Sequence, residues 1–314
     1  MMKKVIGCAA LALFAATLCA GCSQGASSGS SKAQVSDVEA LQAVSNVSDA
    51  PRSGSAQAST EDEQLKGQIS SIVEQYSGSY AVVCQAVDGS WKASVNASDS
   101  QVAASMIKLA IMGALFDRES KGLLSLDDTV VLQSSDIVGG SGVIGAQGAG
   151  SIWTYRELLE HMIRDSDNTA TNVIIDKVGM SNINSWASSF GLKATALNRM
   201  MMDLDSGVEN YTSAQDIATM LQAIWDGTFV SESASKEALA ILEGQNETTG
   251  MELGLPSGVT FAHKTGDLDE VLNDGGIVET QSPYILVVLA SDLTDASASS
   301  AMQEIAQTVS TYAA

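Results

Sequence analysis

A serine and a lysine three residues apart open a long apolar stretch of the chain. In the run Ser105-Met106-Ile107-Lys108, this spacing predicts that the hydroxyl and the amine lie one turn apart on one face of a helix. A serine needs a nearby base to become a nucleophile. A lysine amine can serve as that base when burial and neighbouring positive charge lower its pKa. A pair of this kind can carry nucleophilic catalysis, with the serine as nucleophile and the lysine as base.

Two further motifs distinguish this pair from chance. The spacing alone is weak evidence, because Ser233-Ala234-Ser235-Lys236 also fits it. Ser105 is followed later in the chain by Ser166-Asp167-Asn168, and then by Lys264-Thr265-Gly266 at the end of a predicted strand. Each triplet is ordinary by itself, as helix-capping or turn material. Together and in this order, they indicate one site in which hydroxyl and amine groups converge on a serine.

Composition excludes several other kinds of function. The chain has 314 residues, with 16 Lys and Arg against 37 Asp and Glu, and its formal net charge is -21. Such a chain offers no basic surface to neutralise phosphates, so nucleic acid is not expected as a partner. There are only two histidines, and three of the four cysteines fall within the first 22 residues. We therefore expect no metal site. No organic cofactor is expected either, because the hydroxyl and amine groups of the three motifs suffice for the chemistry.

The amino-terminal segment resembles a bacterial lipoprotein signal. Lys3 and Lys4 precede a short apolar run, and the small residues at positions 20–21 precede Cys22. The resemblance implies that residues 1–21 are removed and that Cys22 is lipidated, which anchors an exported protein on the outer face of the cytoplasmic membrane. In the alternative, an ordinary signal peptide is cut nearby and Cys22 has no role. Residues 22–59, rich in Ser, Ala and Gly, are predicted to form a flexible tether.

The remaining elements predict one α/β (α+β) catalytic domain over residues 60–314. A helix that begins at Thr60 and a hairpin through Asp88-Gly89 come first, and strands return only near the carboxyl end, before a closing helix. Between them, the recognisable patterns are helical. This order predicts an antiparallel sheet flanked by the terminal helices, with an inserted all-helical lobe. The sheet lobe would comprise 60–100 and 245–314, and the helical lobe 101–244.

The three motifs are the signature set of serine β-lactamases and penicillin-binding proteins. The resemblance extends over about residues 60–314 and includes the runs Thr154–Leu159, Asn210–Asp216 and His263–Val278. The chain is identified as a class A β-lactamase-like serine hydrolase. This resemblance implies that Ser105 forms an acyl-enzyme with a β-lactam amide and that Lys108 is the general base.

The same resemblance implies roles for the other motif residues. Ser166 would relay a proton to the leaving nitrogen, supported electrostatically by Lys264. The substrate-binding residues would be Asn168, which hydrogen-bonds the substrate amide, Thr265, which helps to hold the substrate carboxylate, Gly266 and Asp267. The backbone N–H groups of Ser105 and Asp267 would bind the oxyanion.

The chain departs from the family pattern in the loop that releases the acyl group. Relatives carry a glutamate in an E-x-x-L-N motif, and the similar run here is Ala194-Thr195-Ala196-Leu197-Asn198, with alanine in the place of the glutamate. Loss of a positioned general base costs about 10²–10⁴-fold, so we expect slow deacylation. Asp203 or Asp205 remains open as a substitute. The three methionines at 200–202 are interpreted as core residues.

A glycine-rich pattern at residues 140–145 is interpreted as having no role in the chemistry. The glycines of Gly140-Ser141-Gly142 and Gly145 fit a dinucleotide-binding spacing. No buried parallel strand precedes them, so a flexible surface loop is expected there.

Three functions therefore remain open. One is a slow β-lactamase, and another is a penicillin-binding peptidase acting on peptidoglycan peptides. The third is a non-hydrolytic β-lactam sensor or cell-wall-binding lipoprotein. We expect a monomer whose ligand is a small β-lactam or a peptidoglycan peptide.

Overall fold

The computed structural model describes residues 54–314. The predicted signal, Cys22 and most of the predicted tether lie outside this range, so lipidation stays a prediction. The strands are β1 (Ser79–Ala86), β2 (Lys92–Val95), β3 (Gln101–Val102), β4 (Thr129–Val131), β5 (Ile152–Thr154), β6 (Tyr211–Thr212), β7 (Thr260–Leu268), β8 (Val271–Glu279) and β9 (Tyr284–Ser291). The α-helices are α1 (Gly54–Val73), α2 (Lys108–Ser120), α3 (Tyr155–Arg164), α4 (Asn168–Val178), α5 (Met180–Phe190), α6 (Ala214–Trp225), α7 (Glu232–Leu242) and α8 (Ala298–Ala313).

A five-stranded antiparallel sheet in the order β2-β1-β9-β8-β7 forms the centre of the structure. All eight residues of β9 are buried, because both faces of this central strand are covered. Its side chains alternate between two cores. Ile285, Val287 and Leu289 pack with the inserted helices, whereas Leu286 and Val288 pack with α1 and α8. The α/β fold class with an antiparallel sheet is confirmed.

The terminal helices pack side by side on one face of the sheet. Leu65 and Ile69 of α1 and Met302 and Ile305 of α8 are fully buried there. The Tyr312 hydroxyl donates to the Asp62 carboxylate at 2.9 Å, which joins the two helices directly. Helix α1 begins at Gly54, ahead of the predicted start at residue 60.

The inserted segment contributes helices to the opposite face. A capping box between Thr154 and Glu157 begins α3. Helix α4 is an element that the sequence patterns left out, although its first residues belong to the Ser-Asp-Asn motif. Asp167 is its N-cap and accepts a hydrogen bond from Ala170 N at 2.7 Å. The Ser-Asp-Asn triplet therefore caps a helix through Asp167 and also supplies residues to the site.

Strand β7 is the edge strand that reaches the inserted segment. Gly266 pairs with Asn273 of β8, and the Asn273 side chain donates to the carbonyl groups of Val102 and Ala103 at 2.9 and 3.2 Å. Asn273 is fully buried, so these bonds are shielded from water. They fix the backbone just before Ser105 against the sheet.

Within residues 54–314, no helix is long and apolar enough to cross a membrane. Over that same range, no group of three or more His, Cys, Asp or Glu side chains is arranged to hold a metal ion.

Candidate active site

Ser105 lies in a short 3₁₀ turn, Ala104–Ile107, that leads directly into α2. Ala104 has a φ of 45°, in the left-handed region that alanine rarely adopts. Backbone strain of this kind costs about 1–3 kcal/mol and is common at functional sites. The turn leaves Ser105 partly exposed, while the following Met106 and Ile107 are anchored in the core.

Lys108 is fully buried and contacts Ser105 of its own motif and both Ser166 and Asn168 of the Ser-Asp-Asn motif. Its Nζ lies 3.0 Å from Ser105 Oγ, 2.7 and 3.1 Å from the carbonyl oxygen and Oγ of Ser166, and 3.0 Å from Asn168 Oδ1. The Ser166 carbonyl and Asn168 Oδ1 can only accept hydrogen bonds. They take the two N–H groups of a neutral amine, and its lone pair is left for the Ser105 hydroxyl proton.

The electrostatics favour that neutral amine. Burial lowers the pKa of Lys108 well below its usual range, and the positive charge of Lys264 lowers it further. Glu247 and Asp167 oppose this shift without reversing it. The geometry and the charge environment therefore agree that Lys108 can act as a general base toward Ser105.

Ser166 bridges the two buried lysines. Its Oγ lies 3.1 Å from Lys108 Nζ and also 3.1 Å from Lys264 Nζ. Ser166 has a φ of 49°, so the turn that presents this hydroxyl is strained in the same sense as the turn at Ala104. A hydroxyl held between two amines is placed to pass a proton between the base and a leaving group.

Lys264 is fully buried on β7 and donates to the Thr265 carbonyl at 2.9 Å in addition to Ser166. Burial lowers the pKa of Lys264 to about 8, against the opposing pull of Glu247 and Asp274. Below this pH the ammonium places a positive charge beside Ser166.

Glycine at position 266 allows β7 to approach the nucleophile closely. A Cβ added there would lie 3.1 Å from Ser105 N and 3.2 Å from the Ala103 carbonyl oxygen. Asp267 follows, with an exposed side chain at the rim, as the sequence interpretation of its backbone role requires. Burial and the charges of Glu247 and Asp269 raise the pKa of the Asp267 carboxyl.

Two cavities meet at Ser105, and both are also lined by Ser141 and Asp267. The larger one, about 1060 Å³, has an apolar wall formed by Met201, Met202, Leu204 and Tyr211. The smaller one, about 470 Å³, is lined mainly by polar groups. These polar groups belong to Ser166, Thr265 and the segment 246–249, which includes Glu247. The larger cavity thus combines one apolar wall with polar and acidic residues elsewhere, whereas the smaller one is mainly polar.

The glycine-rich segment at 139–145 is a mostly exposed loop, but the expectation that it has no role in the site is wrong, because Ser141 lines both cavities. The Asp167 carboxylate accepts from Val143 N at 2.6 Å and from Ile144 N at 2.8 Å, while Asn168 N donates to the Ser141 carbonyl. At Gly142, with a φ of 122°, an added Cβ would lie 2.2 Å from Asp167 Oδ2. The glycines therefore serve close packing against the Ser-Asp-Asn turn.

The placement of Ala194 beside the acyl group is corrected by the structure. Ala194 N donates to Asp216 Oδ2 at 2.8 Å, and the next residues are held by the same carboxylate and by a β-bridge between Ala196 and Tyr211. This pairing draws Ala194 away from both cavities. Met201 lines the larger cavity together with Ser105 instead.

Met201 is held in that position through its backbone. Its N–H donates to Asn172 Oδ1 at 2.8 Å, and its carbonyl accepts from Asn172 Nδ2 at 3.1 Å. Met201 is buried in the core, as interpreted for the three methionines, and it also lines the larger cavity. The core interpretation is wrong for Met202, which is exposed.

Neither aspartate left open as a substitute base lines a cavity. Asp203 and Asp205 are exposed on the outer part of the loop. Glu209 does line the larger cavity, but its Oε2 accepts from Arg199 Nε and Nη2 at 3.1 and 2.7 Å. Glu209 Oε2 is therefore already engaged by the Arg199 guanidinium.

Sequence reasoning missed Glu247. Its Oε2 accepts the hydroxyl hydrogen bond of Thr265 at 2.8 Å. No motif in the run Asn246-Glu247-Thr248-Thr249 indicates this contact, because it depends on where the connection between α7 and β7 folds back.

The sequence matches the model of the beta-lactamase enzyme family over residues 64–313. The chain therefore belongs to the beta-lactamase enzyme family. It is 27% identical to Beta-lactamase AER-1 of Aeromonas hydrophila over 46% of this chain and 49% of that protein. It is also 27% identical to a beta-lactamase of Rhodobacter capsulatus, over 56% of this chain and 62% of that protein. The matches thus span about half to three fifths of these relatives.

Solved structures share the fold over a greater length. PBP-A superposes with a TM-score of 0.74 at 28% identity, over 79% of this chain and 95% of that one. A variant of PBP-A with the same TM-score is an acyl-enzyme complex with penicillin G.

Replacing Asp167 by alanine should destabilise the protein by about 3 kcal/mol. The carboxylate accepts three backbone N–H groups, and each buried donor left unsatisfied costs about 1–3 kcal/mol. Urea unfolding would measure the loss, with Asp203→Ala, at an exposed carboxylate, as the control. Equal stability of the two variants would contradict the anchoring role.

Proposed function

We propose that this protein is a serine acyl-enzyme hydrolase of β-lactam amides that releases its acyl group slowly. The observation that carries this is the contact set of Lys108, whose acceptors leave a lone pair for the Ser105 hydroxyl. Membership in the beta-lactamase family and the acyl-enzyme described for the PBP-A variant support it.

In this reaction, the Ser105 proton moves to Lys108 Nζ while Oγ attacks the carbonyl carbon. The C–N bond of the lactam then breaks, and the nitrogen takes a proton through Ser166, which lies between Lys108 and Lys264. The product is an ester of Ser105. Water must cleave this ester, which restores the serine and liberates the acid.

Slow release follows from the wall that the acyl group would face. Met201 contributes a thioether there, which cannot accept a proton from water, and Glu209 is occupied by Arg199. Without a free carboxylate at that wall, the acyl-enzyme should persist.

A peptidoglycan-peptide hydrolase is the second candidate. The larger cavity, about 1060 Å³, is at the upper limit for small-molecule sites and suits an extended peptide. Release of D-alanine from a stem-peptide mimic, absent in Ser105→Ala, would favour this function over β-lactam hydrolysis.

Intact-protein mass spectrometry with benzylpenicillin tests the first candidate. We expect an adduct with the mass of the whole antibiotic, and no adduct in Ser105→Ala. The control is Ser233→Ala, at the exposed serine position of the other S-x-x-K run, and it should label like the parent. A persistent adduct supports slow release, whereas rapid consumption of antibiotic without an adduct would contradict it. No adduct at any time would overturn β-lactam acylation.

Replacing Met201 by glutamate should shorten the acyl-enzyme lifetime by about 10²-fold or more, because it places a general base at the cavity wall. The matched control is Met201→Gln, which has a similar shape but is a far weaker proton acceptor. The lifetime would be followed by loss of the mass adduct after removal of free penicillin. Equal lifetimes in the two variants would show that position 201 does not face the hydrolytic water.

The acylation rate should have a bell-shaped pH dependence. It should fall in acid as Lys108 gains a proton and loses its lone pair. It should also fall above about pH 8, where Lys264 loses the charge beside Ser166. In Lys264→Arg, the positive charge persists to higher pH, so the alkaline fall in the acylation rate should shift to higher pH. Second-order acylation rates from pH 5 to 10 check this, and an unmoved alkaline limb would contradict the assignment.

A further inference from the structure

Glu247 occupies the polar end of the smaller cavity, next to the reacting groups. Its carboxylate accepts from Thr265 Oγ1 at 2.8 Å and lines the cavity together with Ser105 and Ser166. It is also the carboxylate that most strongly opposes the lowering of the pKa of both buried lysines, Lys108 and Lys264. The negative charge of Glu247 therefore acts on both buried lysines at the centre of the site.

The backbone around Glu247 is fixed by a buried network. Thr249 Oγ1 donates to Asp274 Oδ2 at 2.6 Å, and Asp274 Oδ1 lies 2.8 Å from His263 Nδ1. Asp274 is fully buried on β8. This network ties the segment that carries Glu247 to the two strands beside the nucleophile, so the carboxylate has a defined place.

Thr265 has a single hydroxyl proton, and the hydroxyl donates it in a hydrogen bond to the Glu247 carboxylate. The N–H groups of Lys264 are directed to Ser166 and to the carbonyl and hydroxyl oxygens of Thr265. The donors on which a substrate carboxylate would depend are therefore already engaged.

The residues that line the smaller cavity carry two acids and no Lys, Arg or His. The acids are Glu247 and Asp267. A carboxylate that enters this space would meet like charge without a compensating cation at the surface, which is a costly arrangement. A protonated amine would instead find a partner in Glu247.

We infer that Glu247 determines specificity by the charge of the substrate group beside Thr265. It disfavours a carboxylate there, accepts a neutral ester or amide, and favours a protonated amine. The inference rests on the proposed acylation of Ser105 and names the class of substrate that the site prefers.

Three compounds with the same β-lactam ring and side chain test this. They are benzylpenicillin, its methyl ester and its diethylaminoethyl ester, which place an anion, a neutral group and a cation at the same position. Second-order acylation rates would be measured for the full chain by intact mass. For each protein, the rate with the cationic ester is divided by the rate with benzylpenicillin. This ratio is then compared among the parent, Glu247→Gln and Glu247→Ala. The intrinsic reactivities of the compounds are the same for every protein, so they cancel in that comparison.

We expect the cation-to-anion rate ratio to fall about tenfold or more in both Glu247 variants. The matched control is Glu243→Gln, which removes one charge from an exposed position a few residues away and outside both cavities, and should leave the ratio unchanged. Melting temperatures would verify that each variant is folded.

A ratio unchanged in both Glu247 variants, while the parent is acylated, would overturn the specificity role and leave the proposed function intact. An equal shift in Glu243→Gln would also overturn it, since the effect would then come from net charge alone. If none of the three compounds acylates the parent, the proposed function fails, and this inference fails with it.

Discussion

The removal of the Lys108 amine from water is the constraint on which the rest of the site depends. A buried ammonium is costly, so the neutral form is favoured, and the neighbouring charge of Lys264 strengthens that preference. Each acceptor around Nζ then has a defined consequence. The Ser166 carbonyl and Asn168 Oδ1 accept hydrogen bonds from its two N–H groups, and the lone pair is directed toward Ser105.

The fold maintains this arrangement by fixing backbone more than side chains. Strained turns present Ser105 and Ser166, and Asn273 holds the segment before the nucleophile against the sheet. Gly266 lets the edge strand come close, and the Asp167 carboxylate fastens the glycine-rich loop over the turn. The inserted helices and the sheet each supply part of the site, and neither carries a complete one.

The sequence predicted the sheet, most helices and the residues that converge on Ser105, because these depend on local periodicity and short motifs. It was misleading where a position depends on tertiary pairing. A short run similar to E-x-x-L-N suggested Ala194, but the bridge from Ala196 to Tyr211 sets a different register and brings Met201 to the cavity. Glu247 was invisible for the same reason, since only the folded connection to β7 brings it to Thr265.

The separation of the site residues along the chain has a consequence for folding. Ser105 and Lys264 lie far apart in the sequence, with most of the inserted helices between them, and β7 packs beside the nucleophile in the folded structure. Contacts of such high sequence separation form late and slowly. A chain that has collapsed but not yet docked its edge strand would lack the second lysine and the approach at Gly266. Covalent labelling of Ser105 would therefore measure the fraction of native molecules. The time at which labelling begins during refolding would report when β7 docks beside the nucleophile.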